Sequence, residues 1–310
     1  MHWMDLVARD PVPWLLDPGN PSARLQTLKH IYRKPAEQLV GEQQALLAWE
    51  PVAQLRRHWD PMHFWGRVES PYYGGPVGNF GTLYLLTQMG VARFPEVEPA
   101  CENLLANGRR EDGHFAPQGG GAAPWHCFAG MALHILTHFG YGDNPRVASA
   151  WQALADTMQK DPDHLGCVME DRACRAGAVK ALAALIHCNT ESPDGVDAAT
   201  MDLLCEYLLT HTYDIAGEDA EWAKPRFPRF YDTDLIELCH VLAHTSYRAH
   251  PTSQRLLRHM LDLQDADGRW HKEKVTPALA EERIFQPSRW LTFEAVHALV
   301  LTYGDALYAP

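Results

Sequence analysis

Asp232 and Asp234 stand two residues apart, directly ahead of an apolar run that opens at Leu235. Two carboxylates held close together can share a proton, because each negative charge raises the other's pKa, and such a pair can act as a general acid. Their plainer role is capping, with Asp232 or Thr233 closing the N-terminus of the following helix. Cys127 and Cys174 fall at comparable positions of two other helix starts, and His126 precedes the first. The unpaired N–H groups of a helix N-terminus favour anions and lower thiol pKa values. His126, Cys127, Cys174 and Asp232 are therefore a candidate acid/base cluster, although each cysteine alone reads more simply as a small core residue. Cys101, Cys188, Cys205 and Cys239 lie inside helical runs and read as packing.

Aromatic residues gather beside the same helix starts: Tyr72, Tyr73, Phe80, Trp125, Phe128, Tyr231 and Trp290. Aromatic faces stabilise cations through the ring quadrupole, so they are candidates to line a site for an apolar substrate. His240 and His244 have the i, i+4 spacing of a helical metal pair, but no acidic third ligand is evident, so no metal and no cofactor are expected. The glycines at 74–75 and 119–121 lack the Lys-Ser/Thr of a phosphate loop, which argues against nucleotide binding. The stretch 214–229, with Gly217, Pro225 and Pro228, reads as a long insertion ahead of the two aspartates, of the kind that forms lids.

These residues need elements to position them, and the chain supplies a repeat. Five segments share one pattern, a turn rich in Pro, Gly or Asp followed by a helix of small and aliphatic residues. They start near Asn79, His126, Arg172, Asp232 and Ser288, at intervals of roughly 46–60 residues. Between them lie second helices with apolar residues at helical spacing, such as Val147, Trp151 and Leu154, or Met201, Leu204 and Leu208. Asn20 and Pro21 give an N-cap followed by Pro at the first helical position, and Leu25, Leu28, Ile31 and Tyr32 then form a stripe. With residues 36–57 this adds an earlier hairpin. No stretch alternates like a strand, so the expectation is all-α, five to six helical hairpins in one domain over 1–310, with residues 1–20 as an N-terminal extension. A closed ring of two helix layers, an α/α toroid, buries both ends of such an array. Ala129, Gly130, Ala176, Gly177, Ala178 and Ala181 suit the close approach of an inner layer.

Gln264, Gly268 and Trp270 after an amphipathic helix have the Gln-x3-Gly-x-Trp spacing of the repeat in squalene and oxidosqualene cyclases, and a looser copy runs from Asn107 through Gly113 to Phe115. On these residues the chain resembles the terpenoid-cyclase and protein-prenyltransferase superfamily over about residues 70–305. The resemblance implies the α/α toroid. It also implies an acid: class II terpene cyclases carry Asp-x-Asp-Asp at an inner-helix start, and Asp232-Thr233-Asp234 matches it with Asp234 as proton donor and Leu235 in place of the last aspartate. Protein farnesyltransferase places zinc ligands at adjacent inner-helix starts. Here Asp171 precedes Cys174 with one residue too many, and Asp232 stands where that family has histidine, so zinc is not expected.

With 310 residues and 46% hydrophobic content the chain can bury one large core. A net charge of −12 with scattered basic residues argues against nucleic acid. Residues 179–186 are the densest apolar stretch, too short for a membrane and interrupted by Lys180. Asp5 and Asp10 interrupt any signal-peptide pattern, and seven cysteines without a framework fit a reduced compartment, so a cytoplasmic protein is expected. The expected function is acid-initiated cyclisation or isomerisation of an isoprenoid or other apolar substrate, with Asp234 as donor and Asp232 orienting it. The alternatives are a lyase or isomerase using Cys127 or Cys174 with Asp232 as an acid/base pair, Asp171 being a further catalytic candidate, and a non-catalytic ring that binds a hydrophobic ligand or a protein.

Overall fold

The computed structural model describes residues 2–72, 74–117, 125–160, 174–191, 198–211, 213–274 and 285–304. Among these residues the fold is all-α, and extended backbone pairs only in isolated bridges. Helices α1 (Val12–Leu15) and α2 (Pro21–Gln26) lead into a π-helical turn at Thr27–Ile31, followed by α3 (Val40–Ala48) and α4 (Glu50–Arg57). Then come α5 (Asn79–Gln88), α6 (Val97–Asn107), α7 (His126–His138), α8 (Pro145–Lys160), α9 (Arg175–Glu191) and α10 (Ala198–Thr210). The last three are α11 (Leu235–Ala243), α12 (Pro251–Leu261) and α13 (Arg289–Tyr303).

The helix starts follow local chemistry. Asn20 accepts the Ala23 N–H at 2.9 Å, and Pro21 takes the first helical position, where no donor is needed. Helix α13 is capped by Ser288. Arg172 lies outside the described residues, and α9 begins at Arg175, directly after Cys174. Helix α11 begins at Leu235 because Asp234, rather than Asp232 or Thr233, takes the cap.

Two kinds of helix alternate. In α5 every residue from 79 to 87 is buried, and α7, α11 and α13 are buried on most sides. Helix α12 is one-sided, burying Ser253, Leu256, Leu257 and Met260 while Arg255 and Arg258 face solvent. The buried set packs in chain order: α5 on α7, α7 on α9, α9 on α11, α11 on α13, and α13 on α2. Helices α6, α8, α10 and α12 lie against that set or each other. The tightest approach is α7 to α9. A Cβ at Gly130 would stand 2.6 Å from the Ala181 nitrogen and the Lys180 carbonyl carbon, so only glycine fits.

Gln264 and Trp270 face each other as an antiparallel bridge over a turn in which Gly268 has φ 69°. Trp270 is fully buried, its indole N–H donating to the Met260 carbonyl at 2.7 Å and its backbone N–H to Thr292 Oγ1 at 3.0 Å. The motif thus joins α12 to α13. Gln264 reaches further: its Oε1 accepts the Ala8 N–H at 2.8 Å, and its Nε2 donates to the Leu6 and Leu261 carbonyls at 3.1 Å. The first residues of the chain are accordingly docked, with Trp3, Val12 and Leu15 buried. The earlier copy has the same geometry in a different register, Arg109 bridging Phe115 with Gly113 at φ 94°. Arg109, not Asn107, is the counterpart of Gln264. Among the described residues no helix is long and apolar enough to cross a membrane.

Candidate functional site

Asp234 is inaccessible and saturated. Its Oδ1 accepts the Glu237 N–H at 2.9 Å and Arg229 Nη2 at 3.0 Å, while its Oδ2 accepts the Arg226 N–H at 2.9 Å and Arg229 Nε at 3.0 Å. Burial by itself would raise this carboxyl, but the Arg229 charge and these hydrogen bonds outweigh it and hold the pKa below the usual value. So held, Asp234 is ionised at neutral pH. Asp232 points elsewhere, with 58% of its side chain exposed and Arg226 Nη1 at 2.7 Å. Each aspartate has its own arginine, so two ion pairs replace the expected shared proton.

Arg229 connects the buried helices. Its backbone N–H donates to Gln88 Oε1 of α5 at 2.9 Å, and its carbonyl accepts Gln88 Nε2 at 2.8 Å. Its guanidinium meets Asp234, Glu294 Oε2 of α13 at 2.5 Å and Glu237 Oε2 of α11 at 3.7 Å. Glu237 also accepts Thr233 Oγ1 at 2.7 Å, and each of its oxygens accepts Lys180 Nζ of α9 at 2.7 Å. Lys180 Nζ lies 5.7 Å from the ring centre of Tyr84 on α5. The lysine that interrupts the apolar stretch of α9 is therefore an interior cation.

This group holds three carboxylates, Asp234, Glu237 and Glu294, against two cations, Arg229 and Lys180. The surplus negative charge falls on Glu294. Burial, together with the Asp234 and Glu237 charges, overcomes the pull of Arg229 and pushes Glu294 up to about 7. Glu294 also keeps 18% of its side chain accessible, against none for Asp234. Glu237 lies between them at 9%. Burial lowers the Lys180 pKa while Glu237 opposes the shift, and Arg229, raised well above its usual value, stays a cation.

The aromatics divide. Phe80 stacks on Phe128 at 4.2 Å, and Tyr72 lies 5.7–6.2 Å from Trp125, Phe128 and Phe80. Phe230 closes this group, stacked on Tyr72 at 5.8 Å and edge-on to Phe80 at 5.7 Å. Trp290 is not part of it: Phe227 stacks on Trp290 at 4.3 Å, and its indole N–H donates to Ser22 Oγ at 2.7 Å. Tyr231 is 47% exposed at the rim. Tyr73 and Asp171 lie outside the described residues. Cys174 and His126 border Gly177, where an added Cβ would stand 2.8 Å from Cys174 Sγ and 2.9 Å from the His126 Cβ. Cys174 and His126 thus come together, with Cys127 beside them, while Asp232 is engaged with Arg226. Burial, then His114, lowers His126 to about 4, so it is a neutral imidazole.

A second group lies one turn further along α11 and α13. His240 Nε2 is 2.9 Å from His297 Nδ1 and 3.4 Å from His244 Nε2, and one nitrogen from each of the three lies within 4.8 Å of the others. The ring centre of His30, on the π turn, is 5.3 Å from that of His297. Burial holds His240 and His297 well below the usual histidine value and His244 at about 4. The pair of histidines on α11 has its third partner on another helix, and that partner is an imidazole instead of a carboxylate. A sequence signal was present: Glu237-x-x-His240 and Glu294-x-x-His297 repeat one spacing on two of the expected inner helices, and i, i+3 residues share a face. Arg229 and Phe227 had no such signal, since they sit in an irregular segment that sequence reads as a lid, and Phe230 directly follows it. Comparison with family models gives no match for this chain, and comparison with curated proteins gives none either.

Proposed function

We propose that the chain is an α/α toroid of the terpenoid-cyclase and prenyltransferase kind, and that it catalyses proton transfer on a substrate bound inside the ring, with Glu294 as the acid/base group. The packing order from α5 round through α13 to α2, with Ser22 Oγ of α2 donating to the Met89 carbonyl at the end of α5 at 2.8 Å, supports closure, and the Gln264–Trp270 hairpin supports the superfamily. One observation carries the chemistry. Glu294 belongs to a buried group with one negative charge too many and keeps the largest accessible side-chain share of its three carboxylates, and a pKa near 7 lets it both give and take a proton at neutral pH. That balance favours an isomerase or lyase over alkene protonation, which needs a stronger acid. Tyr72, Phe80 and Phe128 support an apolar substrate portion, and a cytoplasmic setting belongs to the proposal on the cysteine pattern. A non-catalytic ring is the second reading, favoured by the way Phe230 fills the aromatic group.

The test is incubation with linear isoprenoids and prenyl diphosphates, with products read by mass spectrometry, for the wild type and Glu294→Gln. Loss of the proton-transfer group should reduce turnover by about 100-fold or more. Wild-type turnover in Glu294→Gln would remove Glu294 from the mechanism.

A further inference from the structure

We propose that His240, His244 and His297 form a binding site for a divalent transition-metal ion of the zinc class. The donor spacing fits. Four-coordinate zinc with nitrogen ligands at about 2.0–2.1 Å sets them about 3.3 Å apart, and the two shorter contacts here are 2.9 and 3.4 Å. The third pair lies within 4.8 Å, and a rotation of the partly exposed His244 ring would close it.

The metal-free contacts are frustrated in a way that a cation resolves. His240 Nε2 faces both His297 Nδ1 and His244 Nε2, yet one imidazole nitrogen carries either a proton or a lone pair. It can complete only one of the two contacts as a hydrogen bond. A metal ion accepts the lone pairs of all three nitrogens together.

The surroundings suit a cation. His240 is in the last turn of α11 and His244 is its C-cap, where the exposed carbonyls carry partial negative charge. Glu237 and Glu294 stand one turn back on the same two helices, and neutral imidazoles are borderline-soft donors suited to zinc, copper, nickel or cobalt. Three protein nitrogens leave a fourth position, to be filled by water or by His30. The four histidines come from three elements, the π turn, α11 and α13, which the helix packing brings together.

Binding is read without any turnover assay. Protein stripped with chelator is titrated with Co2+ and followed in the visible region, where nitrogen-coordinated four-coordinate cobalt absorbs, and Zn2+ is then added in competition. One Co2+ per chain should bind and be displaced by Zn2+. His244→Ala, at the partly exposed C-cap of α11, should weaken binding by more than the roughly 100-fold that losing an outer-shell partner costs, and His297→Asn should do the same. Exposed His63→Ala should change nothing. Absence of a visible band with the wild type in excess Co2+, or equal binding by His244→Ala and the wild type, would overturn the site.

Discussion

Arg229 and Asp234 form a bidentate pair with 2% and none of their side chains exposed, five residues apart in sequence and joined across the turn that starts α11. The aspartate that sequence singles out as an acid is thereby the anchor of the segment carrying Arg229 into the interior. Breaking a buried ion pair leaves an uncompensated charge, at a cost of about 3–5 kcal/mol. Asp234→Asn keeps the cap but loses the charge, and Glu237 and Glu294 soften the loss. Its stability should fall by about 3 kcal/mol in urea unfolding. An unchanged midpoint would show that the pair is not structural.

Glu294 should make the protein less stable as pH rises. Its folded pKa of about 7 lies above the ordinary glutamate value, so between those two values the native state holds a proton that the unfolded state has lost. The contribution is fully present below the unfolded pKa and is lost as pH rises through about 7. Glu294→Gln cannot ionise and should be more stable than wild type at pH 8, by roughly 3 kcal/mol, and closer to it at pH 5. Denaturant unfolding at both pH values checks the difference. Parallel pH profiles for the two proteins would contradict it.

Trp270→Ala should cost about 3–5 kcal/mol, the range for truncating a buried aromatic. The variant loses the filled space between α12 and α13 and the donor to the Met260 carbonyl. Gln264→Ala should act locally instead, releasing the Leu6 and Ala8 backbone. Limited proteolysis should then cut within the first ten residues while the midpoint changes little. Cleavage at the wild-type rate would mean that Gln264 does not hold the chain's start.

The helical repeat was legible because each buried helix announces itself: small and aliphatic residues, a turn before, a cap such as Asn20 or Ser288. The motif at Gln264, Gly268 and Trp270 was legible for the same reason, since backbone needs at a tight turn select residue types. The site was less so. Asp234 was correctly placed at a helix start, but sequence does not show that Arg229, in an irregular stretch, folds back onto it. Lys180 looked like an interruption because its partner Glu237 lies 57 residues away. His297 was invisible as a partner of His240 for the same reason: pairing across packed helices has no local spacing, and only the repeated Glu-x-x-His pattern hinted at it.

The acid/base role proposed for Glu294 is tested most directly by its own titration. In protein labelled with 13C at the glutamate side-chain carboxyls, the Glu294 resonance is assigned by its absence in Glu294→Gln and followed against pH. The midpoint should lie close to 7, and one at or below the ordinary glutamate value of about 4.3 would remove Glu294 as the acid/base group.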